Sequence, residues 1–230
     1  MFQLTTGYGW NSTASRYTDI TTGRFVSNKV IRNGLEDMMD ASASNMNLLT
    51  QSLIDGNISL AQWQSAMMGE IKASHVASAA LSQGGWEQMT QSDWGAVGRL
   101  IRDQYDYLRN FASQIASGEQ PLDGRALVRA DLYGDAANST YSQMQRRDAI
   151  SDGMNEEMRV LEDTTNACDG CIEQAGLGWQ PIGTLDAIGA EECSTRCRCV
   201  FEYRYDEMLF ALDYQQEDSM LFAPRDAPQN

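Results

Sequence analysis

Cys168-Asp-Gly-Cys171 and, further on, Cys193-Ser-Thr-Arg-Cys197-Arg-Cys199 hold every cysteine of this 230-residue chain. Thiols so close in sequence serve either as metal ligands or as disulfide partners, because both chemistries need sulfurs within a few ångströms of one another. The Cys-x-x-Cys pair puts two sulfurs on one tight turn, with Gly170 expected to let the backbone curl around an ion. Cys193, Cys197 and Cys199 then supply what tetrahedral coordination lacks. The spacing nominates Cys168, Cys171, Cys193 and Cys197 as metal ligands, with Cys199 as the alternative fourth. A structural zinc ion is the first reading, disulfides formed after release from the cell the second, and free thiols the third.

Around this element the periodicity is that of strands. Met158-Arg-Val-Leu-Glu-Asp-Thr-Thr165 leads into Cys168, and Cys199-Val-Phe-Glu-Tyr-Arg-Tyr205 leaves it rich in β-branched and aromatic residues. An antiparallel pairing of the two would bring the ends of the cysteine loop together.

Upstream the pattern is helical. Ile31, Leu35, Met38, Ser42, Met46, Leu49 and Leu53 recur at steps of three and four, and Asp55-Gly56 ends that run. Ser59-Leu-Ala-Gln62 reads as a capping box opening a second helix with Leu60, Trp63, Met67, Ile71 and Leu81 on one side. A third helix spans 91–117, with Trp94, Val97, Ile101, Tyr105, Leu108, Phe111 and Ile115 at helical spacing. A fourth follows Pro121, from Leu122 to Ile150, with Gly134 as a soft point. Short joints between long amphipathic helices imply antiparallel neighbours in a bundle. His75, the only histidine, reads as an ordinary surface or half-buried residue, and Arg125, Arg129, Arg146 and Arg147 as a solvated face.

The ends differ in charge. Residues 1–34 carry Arg16, Arg24, Lys29 and Arg32 against Asp19, a balance of +3, whereas 205–230 carry six acids against Arg225, a balance of -5. With a net charge of -15 the chain is no dedicated binder of duplex DNA or anionic membranes, since phosphates are neutralised by Lys and Arg. Met1-Phe-Gln-Leu-Thr-Thr-Gly7 has neither the basic nor the apolar region of a signal peptide, and no window reaches 18 uninterrupted apolar residues. The expected setting is a reducing cytoplasm, where clustered cysteines favour metal. Residues 1–27, with Trp10, Tyr17 and Phe25, read as an extended arm turning at Thr22-Gly23.

No Walker loop, Gly-x-Ser-x-Gly or His-Glu-x-x-His is present, and the cysteine spacing does not fit a zinc deaminase. The expected fold class is mainly α: an antiparallel helical bundle with a small C-terminal β-hairpin and cysteine-rich module. It divides into an arm (1–27), a helical domain of four long helices (28–153), the cysteine-rich module (154–205) and an acidic tail (206–230).

Cys168, Cys171, Cys197, Arg198 and Cys199, with Trp179-Gln-Pro-Ile-Gly183 and Ile188-Gly189 between them, resemble the C-terminal module of tailed-phage head morphogenesis proteins of the phage Mu minor head type. Arg129-Ala-Asp-Leu-Tyr133 through Tyr141 resembles the helical part before that module. The likeness covers roughly 120–205, and it departs where the family has His-Pro-x-Cys-Arg-Cys: here Ser194 stands in the histidine position, beside Cys193. The resemblance implies a non-enzymatic minor component of the virion acting in capsid assembly. Its partners would be portal, capsid or connector proteins, several copies would assemble, and neither sequence-specific nucleic acid nor membrane would be bound. The alternative is a metal- or thiol-dependent enzyme using Cys168 and Cys171.

Overall fold

Apolar side chains recurring every three or four residues dictate the architecture, and in the computed structural model, which describes residues 7–162 and 167–207, they make five bundle helices. These are α1 (Asn28–Ile54), α2 (Leu60–Ser82), α3 (Gln91–Ser117), α4 (Gly124–Asp135) and α5 (Ala137–Ser151). A hairpin of β1 (Tyr8–Asn11) and β2 (Arg16–Asp19) precedes them. After them come β3 (Glu156–Val160), the short α6 (Asp169–Gly176), β4 (Gln180–Pro181) and β5 (Val200–Arg204). The protein is mainly helical, with small antiparallel sheets and its cysteines clustered near the C-terminal end. No helix among the described residues is long and apolar enough to cross a membrane.

Helix starts follow local chemistry. The capping box at α2 forms, with the Gln62 N–H donating to Ser59 Oγ and the Ser59 N–H donating to Gln62 Oε1 at 2.9 Å. Thr90 and Asp93 make the same reciprocal pair at α3. Pro121 lies outside the helix that it was expected to open: Asp123 caps α4 through the Arg125 N–H.

The core lies where α1, α2, α3 and α4 meet. Trp63 is fully buried against Phe111, its indole N–H donating to Thr50 Oγ1 at 3.0 Å, and Met46, Met67, Ile71 and Leu108 close around it. Burial of a side chain this large contributes about 3 kcal/mol or more, as large-to-small core substitutions show. Trp94 does not join this core; it is exposed and stacks on Trp86.

The fourth helical stretch is two helices, not one. α4 ends at Asp135 and α5 starts at Ala137, because α4 packs on α1 while α5 packs on α2, and one straight cylinder cannot follow both. Gly134 makes the approach to α1 possible. A Cβ there would stand 2.7 Å from the Cα of Ala43, closer than atoms tolerate.

The arm is a packed hairpin whose strands join through residues 12–15, and the expected turn at Thr22-Gly23 follows it. Tyr17 is buried, donates its hydroxyl to the Leu81 carbonyl at 2.8 Å, and meets Trp10 edge-on. Downstream, the expected hairpin is a three-stranded antiparallel sheet in the order β4-β3-β5, Glu156 facing Arg204 and Val160 facing Val200. The expected strand end at Thr164–Thr165 and the tail beyond Glu207, with its Met208, Leu209 and Leu212 pattern, lie outside the described residues.

Gly134→Leu should therefore lower the urea midpoint by an amount equivalent to about 1–3 kcal/mol, the usual cost of overpacking. Gly98→Ala, at an exposed helical position with nothing near its missing Cβ, should instead raise stability by up to about 1 kcal/mol.

Candidate metal centre

All five cysteines converge on one cavity of about 70 Å³, shared with Ala167, Arg196 and Arg198. Cys168 precedes the first turn of α6 and Cys171 sits within it. Cys193 and Cys197 flank a single tight turn at Ser194–Arg196, and Cys199 leads into β5. Sulfur atoms of Cys168, Cys171 and Cys193 lie within 4.8 Å of one another, as do those of Cys171, Cys197 and Cys199. Cys171 belongs to both trios and is buried.

The spacing is too long for disulfides and is compatible with shared coordination. Cys171 Sγ is 3.5 Å from Cys193 Sγ and 3.6 Å from Cys197 Sγ. A tetrahedral zinc with Zn–S bonds of about 2.3 Å places its sulfurs ~3.8 Å apart, whereas a disulfide needs about 2.05 Å. All five cysteines are free, so the alternative of disulfides is not formed. The donor set is all sulfur, and such a cluster could hold a soft or borderline metal ion.

Gly170 does not curl around this cavity. It lies in the first turn of α6, where a Cβ would meet the carboxylates of Glu191 and Glu192, and its N–H donates to Glu192 Oε2 at 3.2 Å. The absent side chain lets the Glu191–Glu192 loop close over the helix start.

The cluster is electrostatically prepared for negative sulfur. Arg159, only 1% exposed, directs Nη1 to Cys171 Sγ at 3.4 Å, and its Nη2 donates to the carbonyls of Asp186 and Ala187. Among the thiols, Cys197 is pulled down because it accepts from Cys199, with the backbone of Cys199 and the thiols of Cys193 and Cys171 adding to this. Cys199 is pushed up by donating to Cys197, and Cys193 is pushed up by burial and by Cys168. Burial also raises Cys171. For Cys168 burial acts upward too, but the backbone N–H groups of Cys171 and Cys193 leave it lowered. The five thiols thus differ in acidity, with Cys197 the most readily ionised.

Polar ties fix the cluster to the bundle. Asn138, at the start of α5, donates from Nδ2 to the Cys197 carbonyl at 2.6 Å. Arg32 of α1 reaches the Arg198 carbonyl and Glu162, each at 3.3 Å, while Arg198 pairs with Asp135 at 2.9 Å. Arg196 faces Asp131 and Asp135 at 3.8 and 3.9 Å. Arg146, read from sequence as solvated, is largely buried. It pairs with the fully buried Glu157 at 2.8 Å and lies 4.4 Å over the Phe201 ring. Arg129 likewise packs over Phe111, whereas Arg125 stays exposed beside Asp123.

His75 takes no part in either trio of ligands. It is fully buried on α2, with Nδ1 2.7 Å from Thr140 Oγ1, and desolvation lowers its pKa to about 4. Sequence reasoning missed Arg159, Arg32 and Asn138. Only Arg159 left a trace, as a charge inside a stretch of strand character.

Two measurements follow from this geometry. Arg159→Met should weaken affinity for a thiophilic divalent ion 10–100-fold, as loss of an outer-shell partner does, read from the thiolate-to-metal absorption of Co²⁺. The His75 imidazole should titrate near pH 4 by NMR. Because its folded pKa lies below the ordinary value of 6.5, its share of stability is complete above about pH 6.5 and is lost as pH falls toward 4. Asp148, raised to about 6 by burial, works in the opposite sense, so the imidazole itself is the proper reporter.

Comparison with protein-family models, curated proteins and solved structures finds no match for this chain.

Proposed function

We propose that this chain is a non-enzymatic structural protein of a tailed-phage particle, a minor head component that acts in capsid assembly beside portal, capsid or connector proteins. The observation that carries the reading is the enclosure of the cysteine cluster. Its sulfurs face one another, Arg159 of β3 reaches the Cys171 sulfur, Asn138 of α5 holds the Cys197 carbonyl from the bundle side, and neither trio of ligands includes a carboxylate or histidine to act as a base. Metal sites of all-sulfur composition are closed and structural, whereas catalytic ones keep a position open for water or substrate. We assign zinc as the resident ion, with Cys168, Cys171, Cys193 and Cys197 as ligands and Cys199 as the alternative fourth. When bound, it would clip the start of α6 to the Cys193–Cys197 turn that leads into β5. The resemblance over 120–205 supplies the virion context.

A thiol enzyme is the second reading, and one observation favours it: Cys168 is half-buried with a lowered pKa. Rapid alkylation of Cys168 alone, with loss of a measurable activity, would support that rival.

Cryo-EM or cross-linking of phage particles should place this chain in a few copies against portal, capsid or connector. Metal analysis of the reduced protein should give one zinc per chain. Recovery of the chain only as free protein in infected cells would overturn the assignment.

A further inference from the structure

β5 is the outer strand of its sheet. One edge pairs with β3 along its whole length, and among the described residues no strand pairs with the other. A cleft of about 800 Å³ opens beside it, bounded by the β1–β2 hairpin, α5 and the sheet. Phe201, Glu202, Tyr203 and Arg204 all line this cleft. Successive side chains of a strand point to opposite faces, so a cleft touched by four in a row runs along the edge of the strand and not across one face.

The walls suit an apolar chain. Trp10, Tyr17, Tyr141 and Trp179 contribute rings. The charge is net negative. Arg204 is paired with Glu156 and lies over the Trp179 ring, and Arg16, over the Phe25 ring, is among the described residues the one unpaired cation against three carboxylates of the lining. Among the described residues the Asp148 carboxylate accepts from the neutral Gln83 amide, with Arg147 acting on it at longer range, and Asp152 and Glu202 make no ion pair.

We propose that this edge receives an extended segment of a partner protein, one with large apolar side chains flanked by Lys or Arg. The added strand would take ladder bonds from β5, set its apolar residues against the rings, and place its cations beside Asp148, Asp152 and Glu202. Strand addition to an exposed edge is a recurrent mode of peptide capture, with backbone bonds giving affinity and alternate side chains giving specificity. The chain's own segment 205–230, at a balance of -5, has the wrong sign for this cleft. The inference names the kind of partner for the assembly role above and rests on that reading only for who supplies the strand.

Fluorescence anisotropy on the full chain tests it with a labelled, end-capped peptide Lys-Val-Trp-Val-Tyr-Val-Lys. Comparators are the same peptide with Glu for both Lys, and a version N-methylated at alternate amides. The basic peptide should bind at least tenfold tighter than either comparator, and an Asp152→Asn, Glu202→Gln variant should lose most of the basic preference. Equal binding of all three peptides, or binding of none, overturns the proposal. So does an intramolecular cross-link from benzoylphenylalanine at position 145, in the cleft wall, to the segment 215–230, which would make the chain itself the occupant. Binding of the basic peptide by a chain that is absent from particles would uphold this inference while removing the preceding one.

Discussion

The contact between Arg146 and Glu157 joins the two halves of this protein, and the rest of the structure depends on it. Glu157 is wholly buried in β3, and a carboxylate there is tolerable only because Arg146 of α5 and the Gly183 N–H satisfy it. A buried ion pair contributes little net stability against an apolar alternative, but removal of one partner typically costs about 3–5 kcal/mol. Its consequence is therefore register. The sheet can sit on the bundle only where α5 presents Arg146 to β3. Phe201 completes the joint, lying between Arg146 at 4.4 Å and Arg159 at 5.4 Å, so one ring takes cations from both the bundle and the sheet.

The same arrangement conditions the cysteine cluster. Five sulfurs held together repel one another as they ionise, and the uneven proton sharing around Cys197 reflects this. Arg159 is held by the carbonyls of Asp186 and Ala187 and by Phe201, so its position beside Cys171 is set before any ion arrives. The asparagine and arginines that reach in from α1 and α5 bond to backbone carbonyls of the cysteine loop, leaving the sulfurs facing inward.

The bundle was readable from sequence where apolar spacing and capping act locally. Ile31, Leu35, Met38, Met46 and Leu53 fell on the buried side of α1 as expected, and Ser59 capped α2. Gly134 was legible as a soft point, but the division into two helices at Ala136 was not, because the approach of Gly134 to Ala43 is a tertiary fact that a helical period cannot carry. β3 misleads in a similar way. Its polar residues Glu156, Glu157 and Arg159 are buried while Met158 and Val160 are only half-buried, reversing the usual polarity of a strand. The convergence of the five cysteines was legible in their spacing. The guanidiniums that stabilise them were not, since Arg32 lies 166 residues from the carbonyl that it reaches.

That last separation bears on when the fold can be completed. A chain made from its N-terminus exposes α1 long before Arg198 emerges, and until then the guanidinium of Arg32 lacks the Arg198 carbonyl and Glu162 that hold it in the finished protein. Contacts so distant in sequence form late, after the closure entropy of the intervening chain has been met. Arg32 thus acquires its partners in order of synthesis: Asn138 and the Tyr141 ring come first, and Glu162 and the Arg198 carbonyl complete its shell.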